Sequence, residues 1–152
     1  MIRWMLLPAM LSAALGLTWQ PAAAQTSGSA KVTVEDSEQY GEYLTDADGQ
    51  ALYLFTADKQ GAGESTCYDD CAAAWSPLLT EGEPEAGEQA DPALLDTFER
   101  QDGATQVTYN GWPLYYYVQD QGAGEATGQD VHGFGGEWYL VTPQGNQVEE
   151  AS

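Results

Sequence analysis

The chain has 152 residues, of which 24 are acidic and four are basic, and its formal net charge is −20. Nucleic acid and anionic membrane surfaces repel so acidic a protein, so neither is an expected partner. Its 17 glycines, seven prolines and 17 aromatic side chains exclude a coiled coil and favour a single β-rich domain.

Residues 1–24 have the order of a secretory signal peptide. Arg3 precedes an apolar stretch, and small side chains stand at Ala22 and Ala24, the positions that precede a cleavage site. The apolar stretch is shorter than the ~20 residues that a membrane-spanning helix needs. We therefore predict cleavage after Ala24 and a periplasmic or secreted bacterial protein with no stable membrane anchor. Removal of Arg3 with the leader makes the mature net charge −21.

The next segments, residues 25–39 and 40–80, are predicted to be an N-terminal segment with a first strand and then a first repeat. The dipeptide Asp48-Gly49 suits a tight hairpin turn, and β-favouring residues flank it at 42–45 and 51–56. Period two places Tyr53 and Phe55 on one face of the second strand and Leu52 and Leu54 on the other. Since both faces are apolar, this strand needs cover on both sides.

Cys67 and Cys71 are the only cysteines, and export favours a disulfide between them. A structural zinc site needs four ligands, and His132 is the single histidine of the chain. The spacing departs from the Cys-x-x-Cys redox motif, because the pair has one residue more between its members.

Residues from Asp70 to Trp75 are predicted to form one or two helical turns, capped by Asp69 or Asp70.

Residues 81–92 are rich in proline, glycine and glutamate and are predicted to be a mobile acidic linker, ending at a short helix that starts at Asp91-Pro92. A second repeat follows over 93–143. Its predicted turns are at 101–104 and at Asn110-Gly111, and a last strand covers 137–142. Residues 144–152 are predicted to be an acidic tail.

An internal duplication connects the two repeats. At a shift of 62 residues, Asp48-Gly49 falls on Asn110-Gly111; the same shift brings together the pairs Leu52-Tyr53 and Leu114-Tyr115, Phe55 and Tyr117, and Asp58 and Asp120. At a shift of 61, Gly61-Ala62-Gly63-Glu64 falls on Gly122-Ala123-Gly124-Glu125. We therefore predict a mainly β fold in which two related β-hairpin repeats pack into one small domain with one or two short helical turns.

The two motifs, Tyr53-x-Phe55-x-x-Asp58 and Tyr115-x-Tyr117-x-x-Asp120, together with Cys67-x-x-x-Cys71-Ala-Ala-Ala-Trp75, resemble bacterial secreted proteins described as lipoproteins with a Yx(FWY)xxD motif. That family is also described as a secreted repeat of unknown function. The resemblance covers roughly residues 41–143 and implies no activity. Two features depart from the family: the lipid-attachment cysteine is absent, and Trp75 is followed by Ser76-Pro77 rather than by two prolines.

The motif residues allow two interpretations. In the first, Tyr53 and Phe55 are core aromatics, and Asp58 accepts backbone hydrogen bonds in the loop that follows it. In the second, carboxylates of both repeats share a ligand or cation site. The candidate ligands of that site are Asp58, Glu64, Asp120 and Glu125.

No catalytic constellation stands out, so the sequence predicts a protein that is not an enzyme and needs no cofactor. We expect an envelope or secreted module that binds an unidentified ligand or envelope protein between its repeats. The alternative is an envelope redox or metal-handling protein that uses the cysteine pair, the tyrosines, the loop carboxylates or His132. The evenly spread acids indicate adaptation to high salt, because salt screens the repulsion among them.

Overall fold

The structure is a computed structural model, and it describes residues 28–149 together with the isolated residue 16. The predicted signal peptide and its cleavage site therefore lie outside the described residues, apart from Gly16. Within the part of the chain that is described, no helix has the length and apolar character that crossing a bilayer requires.

The described residues form a mainly β structure, as the composition predicts. Short strands dominate it, with one α-helix and one 3₁₀ turn, in the following chain order: β1 Lys31–Ser37, β2 Gly41–Thr45, β3 Tyr53–Phe55, α1 Asp70–Ala74, β4 Glu85–Ala86, the 3₁₀ turn Pro92–Leu94, β5 Leu95–Glu99, β6 Thr105–Tyr109, β7 Trp112–Pro113, β8 Val131–Gly133 and β9 Gly136–Leu140.

Three small sheets contain these strands, in the orders β2-β1-β4, β3-β9-β8 and β5-β6-β7. Strand β1, which the sequence assigns to the N-terminal segment, pairs antiparallel with β2 and belongs structurally to the first repeat, since β5 and β6 form the equivalent pair in the second. The turn at Asn110-Gly111 closes the β6–β7 hairpin with both residues at positive φ, 51° and 80°, as the sequence predicts.

The strand after the first turn pairs with a different partner from the one expected. We predicted a hairpin between 42–45 and 51–56, but only the bridge Thr45↔Ala51 joins these segments. Strand β3 instead lies antiparallel to β9 of the second repeat, with Tyr53 opposite Leu140. The physical reason is that β3 is apolar on both faces, and residues of the second repeat supply much of the hydrophobic cluster on each face, which places β3 beside β9.

The contacts between the two repeats are reciprocal, in an approximate two-fold relation. Tyr53 and Tyr115, which correspond to each other, exchange both backbone hydrogen bonds, at 2.8 and 3.0 Å. Tyr53 is opposite Leu140 of the second repeat, and Tyr115 in turn bridges to Pro77 of the first. The repeats are therefore interlocked through their central strands.

Two hydrophobic clusters lie on the two faces of these central strands, as period two predicts. One cluster contains Tyr53, Phe55 and Tyr115, with Tyr117 packed against it. The other contains Leu52, Leu54 and Leu114, with Tyr116 packed against it.

The segment 81–92 differs from the mobile linker that its composition predicts. Residues Glu85–Ala86 add as a parallel strand to β1, and the Glu85 N–H donates to the Ala30 carbonyl at 2.8 Å. Backbone pairing of this kind does not require apolar side chains, which explains why composition fails to predict it. The predicted short helix is present as the 3₁₀ turn, and its Ala93 N–H donates to Asp91 Oδ1 at 2.9 Å.

Two smaller predictions also need correction. Asp69 stands at the N-cap position of α1 but makes no capping hydrogen bond through its side chain, because its backbone has φ 54° and ψ −120°. The predicted acidic tail is folded as far as it is described: the Val148 N–H donates to the Leu140 carbonyl at 2.8 Å, and its side chain is buried in the core.

Candidate functional site

The tyrosine and aspartate of each motif bind the other repeat. The Tyr53 hydroxyl donates to Asp120 Oδ2 at 2.5 Å, and the Tyr115 hydroxyl donates to Asp58 Oδ2 at 2.6 Å. All four side chains are buried. These two hydrogen-bonded pairs are called the tyrosine–aspartate clasp below, and they join the repeats through both copies of the motif.

The second carboxylate oxygen of each aspartate holds the loop that follows it. Asp58 Oδ1 accepts from the Thr66 N–H at 2.8 Å and from its hydroxyl at 2.7 Å. Asp120 Oδ1 accepts in the same way from Thr127, at 2.8 and 2.6 Å. The interpretation of the aspartates as loop-organising acceptors therefore agrees with this geometry, and the bond to the opposite tyrosine is an addition to it.

Beside the clasp, four aromatic rings form one continuous stack, called the ring stack below. Trp75 and Trp138 lie at its centre with ring centroids 4.0 Å apart and planes within 2°. Tyr117 stacks on the outer face of Trp75 and Phe55 on that of Trp138, each at 4.0 Å. Each repeat contributes one tryptophan and one outer ring, so the stack has the same two-fold relation as the clasp.

Residues 61–64 of the first repeat, with two glycines, are called the glycine loop below. A recess of about 300 Å³ opens between this loop and the β5–β6–β7 sheet of the second repeat. The loop is held there because the Gly61 N–H donates to the Gly111 carbonyl at 2.9 Å. A Cβ on Gly111 would stand 2.7 Å from the Gly61 nitrogen, so glycine permits this close approach. The recess is lined by Gly61, Gly63, residues 93–98, Thr108, Asn110 and Gly111.

Comparison with protein families gives a match that follows the same two halves. The family model described as a secreted repeat of unknown function matches residues 34–79 and again residues 96–142. The chain belongs to this family. Searches among curated proteins and among solved structures returned no match.

The disulfide segment is one place at which the two copies of the secreted repeat differ. In the first copy Cys67 and Cys71 form the predicted disulfide, with their Cα atoms 5.2 Å apart and both residues buried. A shift of 61 places Gly128 and His132 at these positions in the second copy. The His132 side chain is 67 % exposed on β8, and its two ring nitrogens lie 3.5 Å from Asp130 and 3.7 Å from Glu137.

The four carboxylates of the predicted cation site are not brought together as a metal-binding group. Glu64 and Glu125 lie exposed in their loops, and Glu125 Oε2 accepts from the Gln121 N–H. Both carboxylate oxygens of Asp58 and of Asp120 already accept hydrogen bonds, as described above. Over residues 28–149 no group of three or more His, Cys, Asp or Glu side chains is arranged to hold a metal ion.

Arg100 is a structural residue that sequence reasoning missed. Its side chain is buried, Nη2 donates to the Cys67 carbonyl at 2.7 Å, and Nη1 donates to Gln106 Oε1 at 2.6 Å. Its guanidinium also lies 4.3 Å from the centre of the Tyr68 ring. The second repeat thus holds the disulfide segment of the first. The available signal was that Arg100 is the only arginine besides Arg3.

The clasp perturbs the acidity of its tyrosines. Burial raises the pKa of Tyr53 and that of Tyr115 far above the ordinary value of 10.0, and the adjacent aspartates Asp120 and Asp58 add to the rise. Burial also raises the pKa of Tyr116, whose hydroxyl donates to Asp46 Oδ2 at 2.8 Å. The neutral phenol is therefore the form that the fold requires at all three positions.

Alkaline pH should consequently destabilise the protein. A tyrosine whose pKa is raised by folding contributes stability that is fully present below its unfolded pKa of about 10 and is lost as pH rises above it. We expect the free energy of unfolding to fall above pH 10 by about 1.4 kcal/mol per pH unit for each such tyrosine. Urea unfolding from pH 8 to pH 11 measures this slope. The Tyr115→Phe variant is the control, and an undiminished slope in that variant would contradict the assignment.

Proposed function

We propose that this chain is an exported, non-enzymatic module that binds a ligand or an envelope partner in the recess between its repeats, after cleavage of the leader behind Ala24. The observation that carries the proposal is the recess itself. Its walls come from both copies of the secreted repeat, so duplication creates a concavity that one copy cannot form alone.

The use of the motif side chains supports a binding role over a catalytic one. The hydroxyls of Tyr53 and Tyr115 and the carboxylates of Asp58 and Asp120 are buried and satisfied by one another and by their own loops. The recess instead combines glycine backbone and polar side chains with the apolar side chains of Leu94, Leu95 and Phe98, a lining that suits recognition by shape and hydrogen bonding. The alternative, a redox or metal-handling role, has less support because the half-cystines Cys67 and Cys71 are only 0 % and 6 % exposed.

Chemical-shift mapping of the ¹⁵N-labelled mature protein tests this proposal. Three classes of probe are titrated separately: small aromatic and polar fragments, N-acetylglucosamine oligomers, and pooled linear peptides. We expect at least one class to shift the amide signals of Gly61, Gly63, Thr97 and Gly111, which line the recess.

Matched variants give the control. Ala93 lines the recess and is exposed, so Ala93→Trp should fill the cavity, keep the fold and abolish the shifts. Ala73→Trp places the same side chain at an exposed position of α1 away from the recess and should respond as the wild type does. The proposal is wrong if no probe class shifts these amides, or if Ala93→Trp responds like the unaltered protein.

We also propose that the acidic surface is an adaptation to high salt. The first hairpin illustrates the cost that salt would remove, because Asp36 and Glu42 are exposed and stand directly opposite each other on β1 and β2. Like charges at opposed positions destabilise a sheet by about 0.2–1 kcal/mol when they are not screened.

Stability should therefore rise with sodium chloride concentration. In Glu42→Gln, the melting temperature at low salt should exceed that of the wild type, and the gain should shrink as salt screens the remaining charges. Thermal melts in a sodium chloride series measure both effects, and Gln39→Ala in the neighbouring turn is an uncharged control. A wild-type melting temperature that falls with added salt would refute the adaptation.

A further inference from the structure

One of the two equivalent hairpins lacks a strand that the other possesses. Val34 pairs with Leu44 in the first repeat, and Thr97 pairs with Val107 in the second. Leu44 and Val107 are equivalent, since their carbonyls accept from the N–H groups of Leu52 and Leu114 respectively. Strand β1 therefore corresponds to β5. Within residues 28–149, β4 covers the outer edge of β1, whereas no strand lies on the outer edge of β5.

The covered edge shows how such a strand binds. Strand β4 runs parallel to β1, with the Glu85 N–H on the Ala30 carbonyl at 2.8 Å and the Gly87 N–H on the Val32 carbonyl at 2.7 Å. Leu95 is the counterpart of Val32 in the second repeat. The Arg100 N–H donates to the Ala104 carbonyl, and the Asn110 N–H donates to the Leu94 carbonyl. Because bonded and non-bonded pairs alternate along an antiparallel ladder, these bonds mark the even-numbered residues of β5 as the ones bonded to β6. The backbone groups of Leu95 and Thr97 therefore point away from β6.

Two recesses flank the open edge of β5, and a side-chain carboxylate already accepts a hydrogen bond from it. The recess described above lies on one side of β5, and a second recess of about 300 Å³ separates Leu95, Asp96 and Thr97 from Glu83, Pro84 and Pro92. The outward Thr97 N–H donates to Asp96 Oδ1 at 2.8 Å. The Asp96 carboxylate thus occupies the position of a partner strand's carbonyl oxygen.

Charge indicates which strand would fit. On the covered edge, Lys31 of β1 stands opposite Glu85 of β4, so the signs are complementary. The open edge instead presents the exposed side chains of Asp96 and Glu99, with Glu83 across the second recess. A second copy of the mature chain fits poorly, because it carries the same net charge and offers only Lys31, Lys59 and Arg100 as cations.

We propose that the outer edge of β5 binds an extended segment of a partner protein that carries lysine or arginine side chains and adds to the sheet as β4 adds to β1. The partner's N–H groups donate to the Leu95 and Thr97 carbonyls, and its cations, which alternate along one face of the strand, lie on the Asp96 side of the sheet. Backbone pairing supplies the affinity in strand addition, and alternate side chains supply the specificity. This inference rests on the proposed function and specifies the partner of the same recess.

The test uses a labelled peptide of about eight residues that alternates lysine and valine, and binding to the mature protein is measured by fluorescence anisotropy. We expect binding that shifts the amide signals of residues 95–99. A glutamate–valine peptide should not bind. The lysine–valine peptide methylated on alternate backbone nitrogens should bind at least about tenfold more weakly if those nitrogens donate to β5.

Three variants locate the binding edge. Asp96→Lys should weaken binding of the lysine–valine peptide by at least about tenfold, while Glu38→Lys, the same charge change in an exposed turn of the first hairpin, should have little effect. Thr97→Pro should abolish binding, because the proline ring replaces the outward N–H and stands where the partner strand must lie. The protein should stay folded, because the Thr97 N–H makes no bond to β6. Urea unfolding confirms that each variant is folded.

The outcomes are distinguishable. The strand proposal is overturned if the methylated or the glutamate-bearing peptide binds as well as the lysine–valine peptide, or if Thr97→Pro leaves binding intact. It is also overturned if the protein dimerises in sedimentation experiments and Thr97→Pro abolishes the dimer, since a second copy would then occupy the edge. If no peptide binds while another class of probe shifts the recess amides, only the strand proposal fails. If no class does so, the proposed function fails with it.

Discussion

Replacing Trp75 with alanine should lower the free energy of unfolding by about 3–5 kcal/mol, the range for removing a large aromatic side chain from a core. The indole is 2 % exposed and touches rings from both repeats: Trp138 and Tyr117 stack on its two faces, and Tyr53 meets its edge at 5.4 Å. Its loss opens a cavity in the middle of the ring stack, where neighbouring rings cannot collapse into it without leaving their own contacts.

Because the two repeats are equivalent, the same prediction applies to the corresponding tryptophan, Trp138. Trp138→Ala should cost about as much as Trp75→Ala, because Trp138 has the equivalent contacts to Phe55 and Tyr115. Trp112→Ala is the matched control, since this half-buried indole lies outside the stack. Urea unfolding followed by circular dichroism measures all three variants. If Trp75→Ala were no more destabilising than Trp112→Ala, the ring stack would not be the main support between the repeats.

The second large effect concerns the tyrosine–aspartate clasp. Asp58→Ala should cost about 3 kcal/mol, because a hydrogen bond to a charged group contributes about 1.5–3 kcal/mol and the N–H and hydroxyl of Thr66 lose the same acceptor. Tyr115→Phe should cost about 1.5–3 kcal/mol for the same bond. The double variant should cost less than the sum of the two, by about 1–3 kcal/mol, because both substitutions remove one shared interaction.

A mismatched pair separates the observed arrangement from the one that the linear motif suggests. Tyr53 and Asp58 belong to the same copy of the motif, but Tyr53 donates to Asp120 and not to Asp58. The coupling energy between Asp58→Ala and Tyr53→Phe should therefore be smaller than that between Asp58→Ala and Tyr115→Phe. Larger coupling within one motif than across the two motifs would contradict the exchange of partners between repeats.

Much of the local structure was predictable because it depends on short stretches of chain. Asparagine followed by glycine tolerates positive φ at both positions, so Asn110-Gly111 predicts a turn whatever surrounds it. Period two assigns Tyr53 and Leu52 to opposite faces, and the structure places them in different hydrophobic clusters. The disulfide was predictable from composition, since Cys67 and Cys71 have no other thiol with which to pair.

The candidate site was less predictable, although the internal duplication marked some of its residues. Thr66 and Thr127 bind the motif aspartates and are related by the same shift of 61 residues that relates the glycine loops, so the duplication could have identified them. The recess carries no such signal. It depends on how closely Gly61 approaches Gly111, and these residues belong to different repeats.

The sequence by itself determined that two copies of one unit are present, where their turns lie and which side chains face inward, because turn propensity and side-chain alternation act over a few residues. Only the tertiary structure decided that β3 pairs with β9, that each motif tyrosine binds the aspartate of the other copy, and that residues 85–86 complete one hairpin while β5 keeps an open edge. The reason is that two equivalent copies offer equivalent backbone and side-chain partners. The choice between a bond within one copy and a bond across both is made by packing over distances that no local pattern encodes.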